Sequence, residues 1–179
     1  MRAEHFLNNV QLSAPSLRTL EDFGLDQDEI EEIRLAFQCP RKPDATDDGP
    51  FRNELERMLH LYDCSNLEIG LIRFSSNPRR TFAGVAIGCV EADPLIVHDD
   101  GQVATYDHAD EQEMMLPCAR TAEHFLEALS TFLHLRIEEG SRPRNARIAA
   151  ELCAHAAGGL QYLSFYEVLC SPLYDRKRL

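Results

Sequence analysis

The apolar positions of residues 81–135 change period once, and the change divides the chain's central unit into strands and a helix. Residues 81–90, 95–98 and 102–106 are short apolar or alternating runs that read as strands. From 120 to 138 the spacing becomes helical, with Phe125, Leu126, Leu129, Phe132 and Leu133 forming one broad stripe that Thr121 can cap. Asp99, Asp100 and Gly101 lie between the second and third runs. An Asp-Gly step supplies the positive φ of a hairpin turn, so 95–98 and 102–106 should fold back on each other. Gly84 and Gly88 interrupt the first run, which predicts a bulge or a close backbone approach there. The 107–113 stretch, DHADEQE, reads as a solvated acidic loop.

The flanks carry weaker versions of the same signals. Residues 1–20 form a short helix or an extended arm that Pro15 ends. A helix is predicted over 22–37, with Asp26 and Glu29 spaced as a capping box, Leu25 and Ile30 as a hydrophobic staple, and Ile30, Ile33 and Phe37 on one face. The 39–50 segment is rich in proline and aspartate and reads as a loop, a hinge between arm and body. A helical stripe follows over 51–62, then a strand over 67–74 and a turn over 75–80 that carries Arg79 and Arg80. Asp93-Pro94 reads as another turn. Residues 140–144 break the chain, 145–156 are Ala-rich and helical, Gly158-Gly159 ends that helix, and 160–170 return to helical spacing. Arg176, Lys177 and Arg178 make the tail basic, and acidic segments of this chain or of a second copy are its expected partners.

A chain of 179 residues suits one domain. Its parts are an arm, helix and loop (1–50), a sheet-and-helix core (51–139) and a C-terminal helical elaboration (140–179). Hydrophobic residues at 44% and charged residues at 27% are a globular balance. No apolar run approaches the roughly 20 residues that span a bilayer, and the N-terminus lacks a signal peptide's uninterrupted apolar core. The six cysteines are scattered without a CxxC pair, which predicts reduced thiols in a cytoplasmic protein. The net charge of −12 disfavours direct binding to nucleic acid and favours encounter with a basic partner.

No GxGxxG, P-loop, GxSxG or HExxH motif occurs, and no catalytic residue, metal site or cofactor is assigned. The DATDDG run at 44–49 lacks the later Glu of an EF-hand loop. His98, Asp99, Asp107 and His108 are ligand-type side chains near the hairpin, but without zinc spacing. Cys153 and His155 lie two apart in a helix and so do not face each other.

Three features of the central unit resemble the SUKH superfamily, which includes bacterial immunity proteins of polymorphic toxin systems and a fungal regulator of cell-wall synthesis. They are FAGVAIG at 82–88, LIVHDDGQV at 95–103 and ARTAEHFLEAL at 119–129. The resemblance implies an α+β fold, a curved and mostly antiparallel sheet with helices packed on one side, and a protein partner without catalysis. The leading expectation is an immunity protein that neutralises a basic toxin domain, with Asp99, Asp100, Asp107, Asp110, Glu111 and Glu113 as partner contacts. A regulatory or scaffolding protein of the same fold is the second reading. A metal-dependent enzyme built on His98, His108 and neighbouring aspartates is the third. A homodimer is compatible with each.

Overall fold

The computed structural model describes residues 1–110, 112–139 and 145–171. Within them an α+β fold is built around a six-stranded, wholly antiparallel meander in the order β1-β2-β3-β4-β5-β6. The strands are β1 (Glu68–Ile69), β2 (Ile72–Arg80), β3 (Gly84–Val90), β4 (Asp93–His98), β5 (Val103–Tyr106) and β6 (Met114–Ala119). The helices are α1 (Ala3–Leu12), α2 (Leu17–Asp22), α3 (Gln27–Leu35), α4 (Glu54–Leu61), α5 (Ala122–Glu139), α6 (Ala146–Ala156) and α7 (Leu163–Leu169), with a 3-10 turn at Leu160–Tyr162.

One face of the sheet and the helices share the main core. Phe125, Leu126, Leu129, Phe132 and Leu133 of α5 share one hydrophobic cluster with Ile72, Phe74, Ile87, Leu95, Val97 and Val103 of the strands. α1 adds Phe6 and Val10, α4 adds Leu55, Met58 and Leu59, and α6 and α7 add Cys153, Phe165 and Tyr166. The opposite face carries a separate small cluster, Ala86, Ile96, Ala104 and Tyr106, which no helix residue joins among the described residues.

Local chemistry explains the helix starts. Glu29 N donates to Asp26 Oδ1 and Asp26 N donates to Glu29 Oε2, both at 2.9 Å, which completes the capping box. Thr121 Oγ1 accepts from His124 N at 3.3 Å to start α5, and Asn145 Oδ1 accepts from Ile148 N at 3.2 Å to start α6. The helix expected over 22–37 begins later, at Gln27, because the cap sits at Asp26; Ser16 caps the separate short α2. Residues 140–144 and the basic tail lie outside the described residues.

The strands depart from the sequence reading in three places. The strand expected over 67–74 splits at Gly70, whose φ of 61° turns β1 into β2 in a two-residue hairpin. The turn expected over 75–80 is the second half of β2. Its Ser-Ser-Asn-Pro residues form a wide bulge, since Phe74 pairs with Gly88 and Arg79 with Ala86. Asp93-Pro94 is likewise strand, and the turn falls at Glu91-Ala92 with Glu91 at φ 55°. β6 went unanticipated because Pro117 interrupts its run. A proline is tolerated at a sheet edge, and β6 is the last strand in the order.

The hairpin predicted at 99–101 is present. Gly101 N donates to His98 O at 3.0 Å, His98 N donates to Gln102 O at 2.8 Å, and Gly101 has φ 91°. Gly88 makes the predicted close approach: a Cβ there would overlap the Arg73 carbonyl oxygen. Gly88→Ala should therefore lower the unfolding free energy by about 2 kcal/mol in urea titrations, as overpacking does. An unchanged midpoint would contradict the close approach.

Candidate functional site

In a meander, alternate turns fall at opposite ends of the sheet. The Thr81–Ala83 and Asp99–Gly101 turns share one end; the Glu91-Ala92 turn and the 107–113 loop share the other. The predicted acidic residues are divided accordingly. Asp99 and Asp100 are separated from Asp107, Asp110 and Glu113 by the length of β5, four residues or about 13 Å at 3.3 Å per residue. Glu111 lies outside the described residues.

The first end is electrostatically closed. Arg80 grips Asp99 with both terminal nitrogens, at 2.8 Å to Oδ1 and 2.7 Å to Oδ2, and Arg52 adds a third contact of 2.7 Å to Oδ1. The Arg80 guanidinium holds the Asp99 carboxyl below the usual carboxylate range. Asp100 Oδ1 accepts from Gln102 N at 3.0 Å within its own turn. Two guanidinium groups on one carboxylate leave this end without the acidic character that its sequence suggests. His98 Nε2 shares a 2.9 Å hydrogen bond with Tyr106 Oη on the uncovered sheet face, remote from His108.

The second end is open and acidic. The loop is shaped by its own side chains: Asp107 Oδ1 accepts from Ala109 N at 2.7 Å, and Asp110 Oδ1 accepts from Gln112 N at 3.0 Å. Asp107 N donates to Glu113 O at 3.0 Å and closes the loop's base. Asp93, at the start of β4, ties the loop to its neighbouring turn through a 2.8 Å contact with His108 Nδ1. Ligand atoms of Asp93, Asp107 and His108 all lie within 4.8 Å of one another, the types and spacing that could hold a divalent cation. The predicted grouping contained His108 and Asp107 but missed Asp93, since Asp93-Pro94 carries a turn signature. Counting the 91–92 hairpin as a turn at the same end as 107–113 would have found it.

Apolar side chains adjoin this acidic end. Met114 and Met115, at the start of β6, are 47% and 49% exposed, and β6 has no outer strand partner among the described residues. The uncovered sheet face bears an open groove of about 490 Å³ lined in part by Arg73, Asn77, Ala86, Gly88 and Pro94. Comparison with known proteins finds no matching family model, no matching curated protein and no matching solved structure. The surface must therefore be read from its own chemistry. Among the described residues no helix is long and apolar enough to cross a membrane.

The other aspartate-rich segment, 39–50, is committed to structure. Asp47 accepts from Arg41 at 2.8 Å and from Arg57 at 3.3 Å, and Arg57 also pairs with Glu4 of α1 at 2.7 Å. These pairs hold the loop against α1 and α4.

The hydrogen bond to Asp93 raises the pKa of His108 above the ordinary imidazole value. A raised folded-state pKa stabilises the loop fully below the unfolded value of about 6.5, and that stabilisation is lost as pH rises through the higher folded value. An NMR titration should find the His108 midpoint above about 6.5 and returned towards it in Asp93→Asn. A midpoint at or below the ordinary value would contradict the contact.

Proposed function

We propose that the chain is a non-catalytic protein-binding module that docks a basic protein on the 107–113 loop and the adjoining start of β6. The observation that carries this reading is the coincidence of Asp107, Asp110 and Glu113 with exposed Met114 and Met115 at one end of the sheet. Carboxylates at the rim accelerate encounter with a basic surface, and methionine supplies an adaptable apolar contact. The exposed start of β6, which has no outer strand partner among the described residues, offers backbone groups to an added strand. The net charge of −12 extends the same field over the whole molecule.

The narrower form of the reading is an immunity protein that occupies the basic groove of a toxin domain. Its support is the three-feature resemblance to the SUKH superfamily together with this acidic end. A regulatory or scaffolding role would use the same surface with another basic partner.

Affinity capture with the wild type, an Asp110→Lys/Glu113→Lys variant and an Asp100→Lys variant tests the reading, with quantitative mass spectrometry as readout. A basic partner should be retained by the wild type and by Asp100→Lys and lost with the double variant. Its association should slow by about tenfold in the double variant at low salt, with a flatter salt dependence. Equal capture by all three proteins would remove the loop as the docking surface.

The convergence of Asp93, Asp107 and His108 favours one second reading, in which this end binds a divalent cation. Calorimetric titration with zinc and manganese should then give one site per chain that is lost in His108→Ala and weakened below pH 6, where protonation competes for the imidazole. Heat-free titrations would exclude it.

A further inference from the structure

Cys39 and Cys64 stand opposite each other in a short antiparallel pairing that joins the N-terminal arm to the body. Pro40 biases Cys39 towards extended backbone. Arg41 bridges Tyr62, flanked by Lys42 N to Leu61 O and Asp63 N to Pro40 O, both 2.9 Å. Neither flanking bond links Arg41 to Tyr62, so theirs is a non-hydrogen-bonded pair. The same register, carried two residues along, sets Cys39 against Cys64 on the same face. Such pairs bring Cα atoms to about 4.5 Å, within the span that a disulfide bridges. The two thiols are close enough to perturb each other's ionisation, and both are free.

Access to the two sulfurs is unequal. Cys64 is 1% exposed and Cys39 8%, and Cys39 lines an open groove of about 570 Å³ together with Ala14, Leu17, Arg34 and Phe37. The neighbouring Cys64 thiol lowers the pKa of Cys39, and Cys39 together with burial raises that of Cys64. Cys39, which borders the groove, is thus the thiol that a small oxidant reaches first.

We propose that Cys39 and Cys64 form a reversible disulfide on exposure to hydrogen peroxide, with Cys39 as the attacked thiol and Cys64 as the resolving one. The Cys39 thiolate attacks one peroxide oxygen, the O–O bond breaks, and the departing hydroxide takes up a proton as water, leaving a sulfenic acid. The Cys64 sulfur then attacks the Cys39 sulfur. The S–S bond forms, the S–O bond breaks, and the hydroxyl leaves with the Cys64 proton as a second water. Two thiols lose two electrons and one peroxide is reduced to two waters; a dithiol reductant reverses the change by exchange.

The location gives the bond a consequence. Cys64 follows α4, whose Leu55, Met58 and Leu59 are core residues, whereas α2 and α3 bury only Leu20 and Ile30. Closing a loop of about 25 residues at this junction removes chain entropy from the unfolded state and fixes the arm's point of departure.

Peroxide treatment of the native full chain, followed by alkylation and peptide mapping without reduction, tests the proposal. The expected product is a Cys39–Cys64 cross-linked peptide, reversed by dithiothreitol, with the melting temperature raised by about 5 °C or more while it persists. In Cys64→Ala a sulfenic-acid trap should label Cys39, and in Cys39→Ala Cys64 should remain a thiol. Two unreacted thiols in the wild type, prior cross-linking of Cys153 to Cys170, or sulfenic acid on Cys64 in Cys39→Ala would overturn it.

Discussion

The structure depends on burial of one face of the meander by the helices, with α4 against β2 and β3 and α5 against β6. Phe125, Leu126, Leu129 and Phe132 enter the same core as Ile87, Leu95, Val97 and Val103. Each such side chain, fully removed from water, contributes about 1.5–3 kcal/mol. A hairpin alone is marginal in water, and the helix supplies the second layer that the strands need. Because this burial is one-sided, the opposite face keeps only the small Ala86, Ile96, Ala104 and Tyr106 cluster. That face and the strand ends therefore lie outside the main core.

The meander's alternation of turns also distributes the charge. A chain that simply alternated acidic turns would be acidic at both ends. Here Arg80, reached only because β2 continues through its wide bulge, arrives beside Asp99 and neutralises one end with the help of Arg52. Asp93, Asp107 and His108 meet at the other end, where neighbouring carboxylates remain solvent-facing. Charge counted along the chain and charge presented by the fold therefore differ, and the difference arises from register.

Most of the fold was legible where a local interaction specifies it. Thr121 and Asp26 announce helix starts because capping needs only residues within one turn. Gly101 announces its hairpin because no other common residue adopts that φ so readily. The failures share a different cause. Ser75–Pro78 has turn composition, yet pairing between β2 and β3 on either side holds it as a bulge, and Pro117 has breaker chemistry, yet an edge position excuses its missing donor. The site was half legible for the same reason. Asp107 and His108 are adjacent in sequence, whereas Asp93 reaches them through strand order, which no local pattern encodes.

Stability should follow this layering: deepest in the shared core of the central strands and α5, shallow in the arm of α2 and α3 and at the rim between β5 and β6. Native-state hydrogen exchange measured amide by amide tests that order most directly. The account predicts that amides of β4, β5 and the buried turns of α5 exchange only through global unfolding, while those of α2, α3 and residues 107–110 exchange through smaller openings. Slowest exchange in the arm, or β5 amides opening as readily as the rim, would contradict it.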